Sequence, residues 1–168
     1  YARPQRPVTA CVELGRLLDE TARLLRNSPD RRPDHEIALQ LGEGALACSG
    51  DEAQLRQVVW NLAVNGLRAM GDGGRLTLAA ARSGTQVVLE VQDTGCGIPA
   101  EQRERLFQPF QSGFAQGTGL GLALAHRIVT DHGGTIDVES VVGHGTTVRV
   151  ALAARAEADE AAAPPHAA

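Results

Sequence analysis

GTGLGLALAHRIVTDHGG, residues 117–134, sets three glycines at alternate positions ahead of and into an apolar-periodic segment, which two further glycines close. Free backbone N–H groups and the dipole at such a helix start favour phosphate, so the stretch is a phosphate cradle on physical grounds. A plain helix N-terminus is the competing reading. No Gly-Lys-Ser or Gly-Lys-Thr follows, so this is not a Walker A loop. Gln111, Ser112, Gly113 and Phe114 precede it as a loop and not as a strand, which excludes a Rossmann fingerprint. The periodicity predicts a helix over residues 120–131, stopped by Gly133 and Gly134.

Upstream, DTGCGIP (residues 93–99) follows the Val-rich run TQVVLEVQ and so puts Asp93 at a strand end. A carboxylate there can accept a hydrogen bond from an exocyclic amine such as that of adenine, and Gly95 and Gly97 let a flat ring approach the backbone. Against this stands a strand-to-helix connection in which Asp93 is only a turn former. RLTLAAAR and TQVVLEVQ predict an antiparallel hairpin. TIDVES and TTVRVAL predict another around residues 142–145. After Pro99 a short charged helix is expected, then a loop holding Phe107, Phe110 and Phe114.

The first part of the chain reads as a helix from residue 9 to residue 26, then two short strands around a Gly-rich turn in HEIALQLGEGALAC (residues 35–48). Asp51 then caps a long helix running to Met70. On it Gln57, Asn61, Asn65 and Arg68 share one face, opposite the apolar Leu55, Val58, Val59 and Leu62. Asn is a poor helix former. Two of them a turn apart read either as a solvated polar face or as amides offered to a hard cation such as Mg²⁺. Strands and helices together give an α+β class.

Composition narrows the function. With 43% hydrophobic but only 3% aromatic residues, the core must be Leu, Val, Ile and Ala. A formal net charge of -4 gives no basic surface for nucleic acid. Cys11, Cys48 and Cys96 have neither zinc-site spacing nor an even count for a disulfide framework, which favours a cytoplasmic setting. His35, His126, His132, His144 and His166 are scattered and read as structural or surface residues. No hydrophobic run is long enough to span a bilayer. The start YARPQRP, without Met, is expected to mark a fragment whose parent could be membrane-anchored, and the Ala, acidic and Pro-rich residues 154–168 a disordered tail.

Taken in order, NLAVNGLRAM, DTGCGIP, LFQPF and GTGLGLALAHRIVTDHGG resemble the asparagine box, first glycine box, phenylalanine box and second glycine box of one ATP-binding superfamily. It is shared by histidine kinases, gyrase, mismatch-repair ATPases and heat-shock chaperones of the ninety-kilodalton class. LFQPF and the continuation HRIVTDHGGTIDVES look like sensor histidine kinases, in particular the nitrogen-regulation type. The resemblance covers roughly residues 50–150 and implies a two-layer sandwich, the Bergerat fold, with a mixed sheet of about five strands against about three helices.

It also implies roles. Asn65 would ligand Mg²⁺, Asn61 would order the water around the metal, and Arg68 would approach the phosphates of ATP. Asp93, with Thr146, would read the adenine amine, while Gly95, Gly97 and Ile98 line the base. Phe107 and Phe110 would anchor a lid, and Gly117, Thr118, Gly119, Leu120, Gly121 and Leu122 would carry the phosphates and the helix that follows. Residues 1–8 would end a dimerising hairpin that carries the phosphoacceptor His and is absent here, with residues 9–153 as the catalytic domain. Implied partners are that hairpin and a response regulator, with the fragment a monomer and the parent a homodimer. Relatives often carry Thr-Thr-Lys in the lid, where this chain has Gln111, Ser112 and Gly113, so a lid cation is missing. The alternatives are a serine/threonine kinase of the anti-sigma-factor type and a nucleotide-gated scaffold that transfers no phosphate.

Overall fold

A computed structural model describes residues 9–108 and 121–155. In chain order the elements are β1 (Ala10–Glu13), α1 (Leu14–Arg26), β2 (His35–Leu41), β3 (Ala47–Gly50), α2 (Glu52–Ala69), β4 (Gly74–Ser83), β5 (Gln86–Asp93), α3 (Ala100–Arg103), α4 (Gly121–Asp131), β6 (Thr135–Val141) and β7 (Gly145–Ala153). Five strands form a mixed sheet in the order β2-β4-β5-β7-β6, parallel between β2 and β4 and antiparallel elsewhere. The α+β class and the two expected hairpins, β4–β5 and β6–β7, are present.

Strand residues two apart share a face, so the register sorts the sheet into rows. One row crosses the strands as Leu39, Leu78, Val91, Val148 and Val138, and the next as Leu41, Ala80, Leu89, Val150 and Ile136. These rows face α1, α2 and α4, whose Leu17, Leu18, Val58, Val59, Leu62 and Val129 complete a core of aliphatic side chains. On the opposite face Arg149 bridges Glu90 and Glu139 at 3.0 and 2.9 Å. At the end of the sheet where β5 stops, the helix-facing row changes character and runs Ile37, Leu76, Asp93, Thr146 and Ser140.

Two expectations need correction, the start of the first helix and the start of the tail. The first helix does not start at residue 9, because residues 10–13 are the strand β1, antiparallel to β3. Only Val12 of β1 is buried, and the Glu13 carboxylate caps α1 by accepting from the N–H groups of Gly15 (3.2 Å) and Arg16 (2.8 Å). Both strands expected in residues 35–48 form, but they join different sheets, β2 beside β4 and β3 beside β1. Ala154 and Arg155, assigned to the tail by composition, are held by backbone bonds to Thr85 and Ala47, each 2.9 Å, and Ala154 bridges Cys48. The expected hairpin end at residues 1–8 and the rest of the tail, 156–168, lie outside the described residues.

Candidate functional site

Asp93 ends β5, is 8% exposed, and accepts from the Gly95 N–H at Oδ1, 2.8 Å away. Burial raises its pKa above the ordinary carboxylate value, while the N–H groups of Gly95 and Thr146 act in the opposite direction. The carboxylate is therefore a buried acceptor that a further donor would stabilise in its charged form. Thr146, 7% exposed, faces Asp93 across the β5–β7 ladder.

The loop after Asp93 is pressed against two backbones. Gly95 sits on the C-terminal end of α2, where an added Cβ would lie 2.5 Å from the carbonyl oxygen of Ala69, and the Cys96 N–H donates to that oxygen at 3.0 Å. Gly97 has φ +73, and its Cβ would meet the Val141 carbonyl oxygen at 2.3 Å. Ile98 donates its N–H to Ser140 Oγ at 2.7 Å. The glycines therefore serve close backbone packing beside Asp93, a function the turn-former reading does not require of both.

On α2, Asn61 and Asn65 behave differently. Asn61 donates to the carbonyl oxygen of Gly121 at 3.2 Å and accepts from Gln57 at 2.7 Å, tying α2 to the first residue of α4. Asn65 is half-buried, and no described residue hydrogen-bonds its side chain. A free amide oxygen suits a hard cation. No cluster of three His, Cys, Asp or Glu side chains among the described residues could hold a metal. A lone amide oxygen fits an ion held chiefly by phosphates and water, for which Asn65 would be a protein contact.

Arg68 is engaged in an ion pair. Its Nε lies 3.0 Å from Asp30 Oδ1, in the loop after α1, and the two side chains are 36% and 25% exposed. Phe107 stacks on His126 of α4 with ring centroids 5.1 Å apart. Leu122 packs against the core from the first turn of α4. Phe110, Gly117, Thr118, Gly119 and Leu120 lie outside the described residues.

Two residues went unnoticed in the sequence. Gly66 brings α2 so near the strand end that an added Cβ would be 2.7 Å from Leu76 Cδ1 and 3.3 Å from Asp93 Cβ. A small residue directly after Asn65 was the available signal. Ser140, on β6, bonds the glycine loop and Thr146 together. No local pattern marks it.

Residues 50–156 match the family described as histidine kinase-, DNA gyrase B-, and HSP90-like ATPases. The chain belongs to this family. Within the histidine kinase-like ATPases it is similar to the sensor histidine kinase ZraS of Escherichia coli (strain K12), 34% identical over 145 residues, which is 86% of this chain and 31% of ZraS. It is also similar to the C4-dicarboxylate transport sensor protein DctB of Rhizobium meliloti (strain 1021), 42% identical over 131 residues, or 77% of this chain and 21% of DctB. The chain thus spans less than a third of the length of these relatives.

Among solved structures, full-length ShkA in complex with AMPPNP superposes with a TM-score of 0.80 at 30% identity, covering 92% of this chain and 33% of that one. The mycobacterial sensor histidine kinase MprB superposes at 0.78 with 27% identity, covering 88% and 99%. The α+β sandwich of this ATPase family is therefore the fold of the chain. No helix among the described residues is long and apolar enough to cross a membrane.

Proposed function

We propose that the chain is the ATP-binding catalytic part of a sensor histidine kinase, which transfers the γ-phosphoryl group of ATP to a histidine on a separate helical hairpin. The phosphoryl group would then pass to a response regulator. The observation that carries the reading is the buried acceptor Asp93 at the strand end, beside the Gly95–Gly97 backbone and under the helix bearing Asn61 and Asn65. Similarity to ZraS and DctB supports a sensor-kinase context, and similarity to ShkA bound to AMPPNP supports a nucleotide site. LFQPF and HRIVTDHGGTIDVES favour the nitrogen-regulation type.

In this reading Asp93 and Thr146 take the adenine amine, Gly95, Gly97 and Ile98 line the ring, and Asn61 holds the start of α4 next to the phosphates. Phe107 and Phe110 anchor the lid, and residues 117–122 cradle the phosphates. Mg²⁺, when bound, neutralises phosphate charge, with Asn65 as its protein ligand. Transfer breaks the bond between the γ-phosphorus and the bridging oxygen, forms a phosphorus–nitrogen bond to the imidazole, and leaves ADP. The protein contributes position and electrostatics.

The test adds a separate hairpin carrying an acceptor His to the chain with ATP and Mg²⁺. Acid-labile phosphate on that His is expected. Acid-stable phosphate on Ser or Thr would favour the anti-sigma-factor type of kinase, and ATP binding without any label would favour a nucleotide-gated scaffold.

A further inference from the structure

The helix-facing row that begins with Ile37 and Leu76 ends in three polar side chains, Asp93, Thr146 and Ser140, on adjacent strands. Among the described residues Ser140 Oγ has three hydrogen-bond neighbours: the Ile98 N–H at 2.7 Å, the Gly145 carbonyl oxygen at 3.0 Å and Thr146 Oγ1 at 2.8 Å. A hydroxyl has one proton and two lone pairs. The Ile98 N–H only donates, so it occupies a lone pair. The Gly145 carbonyl only accepts, so it takes the Ser140 proton. In the third contact Ser140 must therefore accept, and Thr146 must be the donor.

Thr146 thereby spends its own proton on Ser140 and keeps only lone pairs for anything else that approaches. Asp93 beside it also accepts, from Gly95 at Oδ1 and from the Thr146 backbone. The polar end of the row is a wall of acceptors. A 6-aminopurine offers that wall two N–H donors, whereas a 6-oxopurine turns a carbonyl oxygen toward it.

We infer that Ser140 is a positioning residue that fixes the direction of the Thr146 hydroxyl and so sets the preference of the site for 6-aminopurine over 6-oxopurine nucleotides. The inference rests on the proposed nucleotide site. Without the Ser140 hydroxyl, the Thr146 proton is free to turn toward a carbonyl oxygen.

Calorimetry with ADP and with inosine diphosphate, which differ at the purine 6-position, tests this on the wild type, Ser140→Ala and Ser140→Thr. Ser140→Ala is expected to lower the ADP-to-IDP affinity ratio at least fivefold, and Ser140→Thr, which keeps a hydroxyl, to restore it. Should Ser140→Ala fail to fold, Ser140→Cys gives the same readout with a weak donor in place of a strong one. An equal loss of affinity for both nucleotides, with the ratio unchanged, would make Ser140 a merely structural hub and overturn the inference. A folded wild type that binds neither nucleotide would overturn the proposed site and this inference together, an outcome distinct from an unchanged ratio.

Discussion

Replacing Asp93 by Asn removes a negative charge and half of the acceptor capacity from a buried side chain, and the two readings of Asp93 then predict different results. If the carboxylate takes the adenine amine, Asp93→Asn loses a charge-assisted hydrogen bond of about 1.5–3 kcal/mol. With the remaining carbonyl oxygen turned to the Gly95 N–H, the new NH₂ group meets the base amine donor to donor, which pushes the loss to the upper end. The expected weakening of ADP binding is on the order of 100-fold.

Stability moves differently. Burial disfavours the ionised form of Asp93, so the neutral amide relieves that penalty and keeps the Gly95 bond, which offsets a weakened bond from the Thr146 N–H. The unliganded melting temperature should therefore stay within about 4 °C of wild type, the equivalent of about 1 kcal/mol in a chain of this size. Calorimetry with ADP and a thermal melt without nucleotide measure the two effects separately. A loss of affinity below about threefold, or under about 0.7 kcal/mol, together with a large fall in melting temperature, would make Asp93 a turn former and refute the reasoning.

Asn65→Ala should weaken binding of ATP with Mg²⁺ by about tenfold, near 1.4 kcal/mol, and leave binding of Mg²⁺-free ADP unchanged. An equal loss in both would deny Asn65 a metal role. Asp30→Asn frees Arg68 from its 3.0 Å ion pair and should raise ATP affinity a few-fold at low salt. That gain should vanish in the double variant with Arg68→Ala, and a persisting gain would show that Arg68 does not reach the phosphates. Acidification offers a further check through Asp93, whose pKa in the folded chain lies above its ordinary value. Nucleotide affinity, which needs the ionised acceptor, should fall as pH drops through that raised pKa, earlier than for an ordinary carboxylate. The native state there binds the proton more tightly than the unfolded chain, so the contribution of this group to stability rises as pH falls between the unfolded and folded pKa values. Titrations of Asp93→Asn should show neither trend.

Much of the site was legible because alternation along a strand is a local signal. Val87, Leu89 and Val91 lead to Asp93, and Leu152, Val150 and Val148 lead back to Thr146, so both polar ends can be read by counting in twos. Asp51 likewise announced α2, and its side chain accepts the Gln54 N–H at 3.1 Å. β1 was missed because four residues are too few to establish a period, and Leu14, Leu17 and Leu18 extend a helical pattern back over it. The strands around the turn after Leu41 were found, but their partners were not, because pairing is decided by distant segments. Asp30 lies 38 positions before Arg68, and Ser140 42 positions after Ile98, and no pattern in the intervening chain links either pair.

The alignment of Asp93, Thr146 and Ser140 in one cross-strand row bears on how chain length can vary in this fold. Removing one residue from β7 between Thr146 and Val148 would set the two on opposite faces, so that either Thr146 leaves Asp93 and Ser140 or Val148 leaves the core. A change of length costs least in turns such as Gly84–Thr85, outside the strands, and β7 acts as a ruler that fixes its polar end against the core.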